Sequence, residues 1–245
     1  MNTGMYAIAS ALQSRFQAQD SIARNIAHST AIGYRREIPA FYGFGTALFE
    51  AQSTSDNEPA TASGVQFLQP THNWEPGDTW RTEAPLDFQI QGEGFFAIGT
   101  PEGEFLTRDG HFQRQQDGAL VTADGKPVLG NSGGIKLPEK GEVTLRADGT
   151  LEVDNAVFDK LRIVVPSSYD DLAAASGSSF RHTGSEAPKV LAAPKVSQGS
   201  LERSNTNIMS EMVTMIENSR ATEMASKAMQ VVDQGFSDAI RAFSS

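Results

Sequence analysis

Apolar residues near the N-terminus recur at the spacing of a helix. Between about Thr3 and Thr30 the chain has no proline, and its only glycine there is Gly4. Thr3 can act as an N-cap, and Gly33 is a typical stop signal. The apolar positions, most of them three or four residues apart as on one helical face, are Met5, Ile8, Leu12, Phe16, Ile22 and Ile26. The pattern predicts a long amphipathic N-terminal helix.

A second helical pattern occupies the end of the chain, from about Asn207 to Phe243. Written as heptads, one seam position carries Ile208, Met215, Thr222, Met229, Phe236 and Phe243, and the other carries Met212, Ser219, Ser226, Asp233 and Ile240. The apolar face is widened by Ile216, Met224, Ala228 and Val232. Because the centre of the seam is small and polar, we expect this helix to need more than one neighbour.

Between the helices the hydrophobic pattern has a period of two. Leu86, Phe88 and Ile90 alternate with polar residues, as in a half-buried strand. Asp-Gly pairs separate short apolar runs, and such pairs favour tight hairpin turns because glycine tolerates positive φ. These pairs are Asp109-Gly110, Asp117-Gly118, Asp124-Gly125 and Asp148-Gly149. The pattern predicts a compact antiparallel assembly of hairpins from about Leu86 to Val165.

The predicted organisation follows from these patterns. It consists of an N-terminal helix at residues 1–34, an extended connector at 35–80, a central β domain at 81–166, a connector rich in Ala, Ser, Gly and Pro at 167–200, and a C-terminal helix at 201–245. The composition of the connectors is typical of extended or loosely ordered linkers. The predicted fold class is α+β, with long, coiled-coil-like, polymerising N- and C-terminal helices flanking a central antiparallel β-rich domain.

Composition narrows the possible functions. The chain has 245 residues, with 20 Lys and Arg against 30 Asp and Glu, and this acidic balance disfavours nucleic-acid binding. The absence of cysteine excludes disulfides, thiol catalysis and thiolate metal sites. The first residues lack the basic start and the continuous apolar stretch of a cleavable secretory signal. If the protein is exported, we therefore expect another route.

Two glycine motifs offer weak alternatives with catalytic or cofactor chemistry. Residues 92–97 read GxGxxA, but strand signals follow where a dinucleotide site requires a helix. Residues 130–134 read GxSxG, which would make Ser132 a nucleophile with Asp159 or Asp170 and His182, but Pro138 and no helical period follow. The 4 histidines lack metal-ligand spacing. We expect no catalytic residue, cofactor or metal, and a serine hydrolase using Ser132 is the enzymatic alternative.

The two helices call for an explanation, because each has an apolar face that needs a partner. They can pair with each other, in which case the protein is a monomeric β-rich binding module with an intramolecular helical hairpin. They can instead pack against copies or relatives of this chain and build a polymer. An isolated helix is marginal in water and gains most of its stability from packing, so both interpretations satisfy the pattern.

Three stretches of the sequence resemble the bacterial flagellar axial proteins, which include rod, hook and hook-associated proteins. Residues 18–37, AQDSIARNIAHSTAIGYRRE, resemble the N-terminal signature of the family, and residues 84–130 resemble its central β module. Residues 201–224, LERSNTNIMSEMVTMIENSRATEM, resemble its C-terminal motif. The positions that carry the resemblance are Asn25, Ala27, Gly33, Tyr34, Leu86, Asp87, Gly92, Gly94, Leu201, Glu202, Ser204, Asn205, Glu211, Met212 and Arg220.

The resemblance implies a structural subunit of the flagellar basal-body rod, of the proximal or distal type. Such subunits polymerise into the hollow drive shaft that transmits torque from motor to hook, so no enzymatic activity is expected. The implied location is the rod crossing the periplasm, reached without a cleaved signal peptide. The implied partners are copies of the chain, other rod and hook axial proteins, the periplasmic and outer-membrane bushing rings, and the flagellar type III export apparatus, with no nucleic acid and no small-molecule substrate.

On this interpretation the apolar faces of the two helices form the contacts between subunits. The residues predicted to form the subunit interface are Met5, Ile8, Leu12, Ile22, Ile26, Ile208, Met212, Met215, Ile216, Met229 and Phe236.

Overall fold

The computed structural model describes residues 3–42, 66–138 and 140–243, which fold into two compact units. The first unit is formed by residues 1–27, 37–72 and 207–245, and the second by residues 28–36 and 73–206. The chain therefore passes from one unit to the other four times, at 27/28, 36/37, 72/73 and 206/207. Within the described residues, no helix combines the length and the apolar character needed to cross a bilayer.

The first unit contains both long helices and, among its described residues, a two-stranded antiparallel sheet. Its elements are α1 (Thr3–Ala27), β1 (Glu37–Tyr42), β2 (Gln66–His72) and α2 (Ile208–Phe243). β1 and β2 pair antiparallel, with a bulge between Ile38 and Ala40, and α1 packs against this pair and against α2. Asn207 caps α2, because its side-chain oxygen accepts hydrogen bonds from the backbone N–H groups of Met209 and Ser210 at 3.0 and 3.2 Å.

The predicted fold class was wrong about the helices, whereas its antiparallel β-rich centre is confirmed. α1 and α2 are not separate coiled-coil-like elements, because they contact each other within one chain. Polar side chains are buried on both helices: Ser14, Ser21, Asn25, Glu211 and Asn218. In α2 the predicted seam positions Ile208 and Met212 are exposed, so the heptad pattern did not identify the buried face of that helix.

The second unit is built from short antiparallel strands. A six-stranded sheet has the order β15-β16-β6-β5-β14-β17, in which the strands are β5 (Phe95–Thr100), β6 (Gly103–Thr107), β14 (Ile163–Val165), β15 (Leu172–Ala174), β16 (Ser179–His182) and β17 (Lys189–Val190). A three-stranded sheet contains β11 (Val143–Leu145), β12 (Thr150–Val153) and β13 (Ala156–Lys160). A 3-10 turn spans Tyr169–Asp171.

The remaining strands of the second unit form two-stranded ribbons. These pair β3 (Thr79–Arg81) with β19 (Ser200–Glu202), β4 (Phe88–Ile90) with β18 (Val196–Gln198), β7 (Phe112–Arg114) with β8 (Leu120–Thr122), and β9 (Leu129–Gly130) with β10 (Gly133–Gly134). The ribbons that contain β18 and β19 bring the end of this unit back to its beginning.

Two apolar clusters form the core of the second unit. The larger one includes Phe88, Phe96, Leu151 and Ile163, and the smaller one joins Phe95, Leu106, Val164, Leu172 and Phe180. Trp74 packs on the smaller cluster and stacks on Tyr169 at 5.0 Å between ring centroids. Segments 35–80 and 167–200 thus contribute strands and core side chains, although their composition is typical of linkers.

Candidate assembly surface and the buried motif residues

Residues from all three motif stretches meet in the second unit around the carboxylate of Glu202. Glu202 lies in β19, and its side chain is 2% exposed. Its Oε1 lies 2.6 Å from Arg35 Nη1, and its Oε2 lies 3.2 Å from Arg108 Nη1. The backbone N–H of Gly77 donates a further hydrogen bond of 3.0 Å to Oε1. We call Arg35, Arg108 and Glu202 the buried charge cluster.

The cluster contains two guanidinium groups and one carboxylate, so its positive charge exceeds its negative charge. Backbone carbonyls compensate for the excess: Arg35 donates to the oxygen of Glu75 at 2.7 Å, and Arg108 donates to that of Gly92 at 2.6 Å. The guanidinium of Arg108 also lies over the ring of Phe95, 5.2 Å from its centroid. Burial lowers the pKa of Arg108 and Arg35 acts in the same direction, whereas Glu202 raises it.

The backbone conformation and the close neighbours of Gly33 explain why the N-terminal motif needs a glycine beside this cluster. Its φ of 65° is in the left-handed region, and a Cβ atom here would lie 2.4 Å from the carbonyl carbon of Arg108. Its N–H donates to the backbone oxygen of Glu202 at 2.8 Å. The glycine therefore permits close approach of three chain segments that are distant in sequence.

Asn205 ties the two ends of the second unit together. Its side-chain oxygen accepts a 2.7 Å hydrogen bond from the N–H of Arg36, and its amide group donates to the backbone oxygens of Asn73 and Glu75 at 2.9 and 2.8 Å. An antiparallel bridge between Ile32 and Arg203 lies beside it. We call residues 31–36 and 203–205 together the base of the second unit.

In the first unit, Asn25 and Glu211 have a comparable role. Asn25 is fully buried, and its amide donates to the backbone oxygen of Glu37 at 2.8 Å and to Glu211 Oε2 at 3.2 Å. Its side-chain oxygen accepts from the N–H of Glu37 at 2.8 Å. Arg24 adds an ion pair of 2.7 Å to the Glu37 carboxylate. These bonds connect α1, α2 and β1, which is a structural role.

The other motif positions are dispersed. In the second unit, Tyr34, Asp87, Gly94 and Leu201 are buried, Leu86 and Ser204 are half-buried, and Gly92 is exposed. Asp87 Oδ1 lies 2.7 Å from His111 Nδ1. In the first unit, Ala27, Met212 and Arg220 are exposed. Arg35 and Arg108 were not predicted as site residues, although both lie in stretches that resemble the family. Arg35 directly follows Tyr34, and Arg108 lies in the run TRDG.

The predicted interface residues do not form one uniform surface. Ile22 is buried, and Ile8, Leu12, Ile26, Met215 and Met229 are half-buried. Ile208, Met212 and Ile216 are exposed. Met5 and Phe236 lie in α1 and α2 at positions whose side chains fall outside the described part of the structure.

The clearest candidate contact surface in the first unit is a row of exposed apolar side chains along α2. Met209, Ile216, Met224 and Val231 are 69%, 54%, 66% and 66% exposed. The row repeats at helical spacing, on the opposite side of α2 from the buried Glu211 and Asn218. We call it the outer stripe of α2, and its members are Met209, Met212, Val213, Ile216, Met224 and Val231.

The geometry does not favour the catalytic alternatives. Ser132 lies in the exposed turn between β9 and β10, so a strand follows it directly. Gly92 and Gly94 precede the strand β5 instead of a helix that could hold a pyrophosphate. Among the residues that the structure describes, no group of three or more His, Cys, Asp or Glu is arranged to hold a metal ion.

Comparison with known proteins places these features in a family. The sequence model of the family described as "Flagellar hook protein FlgE/F/G D1 domain" matches residues 89–153, and that of "Flagellar basal body rod FlgEFG protein C-terminal" matches residues 197–242. The chain is 32% identical to the flagellar basal-body rod protein FlgF of Caulobacter vibrioides over 86% of this chain and 85% of the relative. The chain belongs to the flagellar basal-body rod protein family.

Other members of the rod protein family are similar over nearly the whole chain. FlgF of Escherichia coli is 31% identical over 95% of both chains, and FlgG of Borreliella burgdorferi is 27% identical over 95% of this chain and 96% of the relative. The resemblance seen in the motifs is therefore confirmed, as is the predicted function class, a structural rod subunit. The matched regions of this rod protein include Arg108, Glu202 and most of α2.

Proposed function

We propose that this rod protein polymerises into the hollow drive shaft that transmits torque from motor to hook. The observation that supports it is the outer stripe of α2, which stays exposed although α2 already packs against α1. Contiguous exposed apolar patches mark interaction sites in soluble proteins. The proposed partners are other copies of the chain and related rod and hook subunits. A contact between unlike faces that does not close on itself generates a helical filament.

Within this proposal, the predicted interface residues whose side chains the structure describes divide into two groups. Ile208, Met212 and Ile216 are exposed on α2 and are proposed to contact neighbouring subunits directly. Ile8, Leu12, Ile22, Ile26, Met215 and Met229 are wholly or partly covered within the first unit, so they are proposed to shape the surface that α1 and α2 present.

We also propose the finer location and partners that the family suggests. The rod would cross the periplasm, its subunits would pass through the flagellar type III export apparatus without a cleaved signal, and the β-rich unit would face the bushing rings. Exposed apolar side chains on the second unit support a role in lateral contacts: Val157, Phe158 and Val190. The proposed activity is mechanical, with no enzymatic step.

One observation favours a second candidate, a monomeric β-rich binding module. α1 and α2 pair within one chain, which satisfies part of the apolar surface of each helix without a partner. This candidate does not explain the outer stripe, which the pairing leaves exposed.

A charge placed on the outer stripe distinguishes the two candidates. Ile216→Asp removes an exposed apolar side chain, so we expect a folded subunit with unchanged circular dichroism but without rod assembly or swimming. Ser210→Asp places the same charge on an exposed flanking position of α2 and is expected to swim normally. Normal swimming of a strain that carries only Ile216→Asp would refute the assignment of the stripe to assembly.

A further inference from the structure

The buried charge cluster joins groups that lie far apart along the chain. Arg35 follows the first helix, Arg108 follows β6, and Glu202 lies in β19 near the end of the second unit. Arg108 and Glu202 are separated by 94 positions. When the chain is made or delivered from its N-terminus, both arginines are present well before their shared carboxylate.

The core of the second unit could form without Glu202, but the cluster could not. Phe95, Phe96, Leu106, Leu151 and Ile163 all precede β18 in the sequence. If they collapsed early, Arg35 and Arg108 would be buried as like charges without the carboxylate of Glu202, which pairs with both of them. Leaving a buried charge unpaired strongly destabilises a fold, whereas a complete pair is close to neutral.

The segment that carries Glu202 has additional bonds to the same unit. Gln198 accepts from the N–H of Leu145 at 3.0 Å and donates to the backbone oxygens of Pro85 and Val143 at 2.7 Å each. Val196 and Leu201 are buried. The C-terminal segment therefore binds the second unit through several neighbouring residues, and Glu202 is the buried charged residue among them.

We infer that Glu202 makes folding of the second unit depend on the C-terminal segment. The β-rich unit stays unfolded until residues 196–206 are present and Glu202 neutralises Arg35 and Arg108. A chain that ends before Glu202 has the repulsion between the two arginines but lacks the carboxylate that offsets it. The cluster therefore favours folding of the complete chain. This inference rests on the buried cluster and not on the outer stripe, so it stands or falls independently of polymerisation.

The test uses the full-length chain and the two tryptophans, Trp74 and Trp80, which both lie in the second unit and report its unfolding by fluorescence. Glu202→Gln removes the charge with little change of shape. We expect its ratio of folded to unfolded protein, from urea titration, to fall about 100-fold or more, as for other broken buried pairs. Glu186→Gln, at an exposed position of the same unit, is the matched control and should match the wild type.

A double variant separates charge repulsion from simple loss of contacts. Arg108→Met in the Glu202→Gln background removes one of the two like charges and keeps an apolar side chain beside Phe95. We expect the ratio of folded to unfolded protein in the double variant to be higher than in Glu202→Gln alone by about 10-fold or more. If Glu202→Gln is entirely unfolded, recovery in the double variant supports the inference, and failure to recover overturns it. Wild-type stability of Glu202→Gln also overturns it.

Hydrogen exchange tests whether the whole unit depends on Glu202. In full-length Glu202→Gln we expect the amides of β5 and β6, which are distant in sequence, to lose protection together with those of β19. Loss confined to residues 199–206, with β5 and β6 as protected as in the wild type, would show local fraying and defeat the inference.

Discussion

Asn25 of α1 donates a 3.2 Å hydrogen bond to Glu211 of α2, although 186 positions separate them in the sequence. Both side chains are buried, and Asn25 also bonds to both backbone groups of Glu37. The first unit is thus held in register by polar groups whose partners are specific. Apolar contacts alone would allow the two helices to slide along each other.

Removing this amide should destabilise the first unit. In Asn25→Ala the backbone groups of Glu37 stay buried without their partner, so we expect a loss of about 2–3 kcal/mol in the free energy of unfolding. Thermal unfolding followed by helical circular dichroism measures it. Gln13→Ala, at an exposed position of α1, is the control and should have little effect. Equal melting of the two variants would contradict a register role for Asn25.

Two glycine substitutions should have opposite effects. Gly33→Ala introduces a Cβ atom 2.4 Å from the carbonyl carbon of Arg108 at a φ of 65°, so we expect a loss of more than about 2 kcal/mol. Gly235→Ala lies in α2 with no atom within 4 Å of the new Cβ, so we expect a gain of about 1 kcal/mol. Urea titration followed by tryptophan fluorescence for Gly33→Ala and by circular dichroism for Gly235→Ala checks both signs.

Asp109 should make the stability of the second unit depend on pH. Burial raises the pKa of Asp109, whereas its hydrogen bond with the N–H of His111 lowers it less strongly. A folded-state pKa above the unfolded value stabilises the fold at low pH, and this contribution is lost as pH rises through the folded pKa. Asp109→Asn keeps the acceptor without the charge, so we expect a higher urea midpoint at pH 7.

The advantage of Asp109→Asn should shrink as pH falls toward the ordinary range of an aspartic acid, because wild-type Asp109 is then protonated as well. Urea titrations between about pH 4 and pH 7 measure this dependence. Asp117→Asn, at an exposed turn, provides the comparison. A benefit of Asp109→Asn that is the same at every pH would mean that burial of the charge is not its cause.

Ser132→Ala should leave the protein unchanged. Ser132 lies in an exposed turn that leads directly into the strand β10, whereas a nucleophile elbow has a helix after the turn. We expect normal swimming of the variant and no labelling of the wild type by a fluorophosphonate probe. Labelling of the wild type that disappears in Ser132→Ala would revive the hydrolase alternative.

Local sequence signals predicted the elements that depend on local chemistry. The helical periodicity gave α1 and α2 close to their observed bounds. Gly118, Gly125 and Gly149 of the Asp-Gly pairs all have positive φ, at 82°, 77° and 84°. Gly110 is different, because its requirement is close approach: a Cβ there would lie 1.7 Å from the backbone oxygen of Phe88. A dipeptide cannot distinguish these two reasons for a glycine.

The hydrophobic pattern of the sequence did not predict which elements pack against each other. Which face of α1 is buried depends on β1 and β2 as well as on α2, and periodicity does not identify neighbours. The sequence did not show that Arg35, Arg108 and Glu202 are buried together, because charged side chains are buried only when paired and each partner lies in a different part of the sequence. The family motifs contained this information, but only the folded arrangement shows why those residue types occur together.

The base of the second unit has a consequence for the modularity of the chain. Because the side-chain amide of Asn205 in this base donates to the backbone oxygen of Asn73 at 2.9 Å, the polypeptide enters and leaves the run of residues 73–206 at neighbouring points. Insertions between such adjacent points are well tolerated, since the spacing of the flanking segments does not change when the inserted part grows or shrinks. A protein engineer could therefore exchange the strands beyond this base for a different domain and leave the two helices as they are.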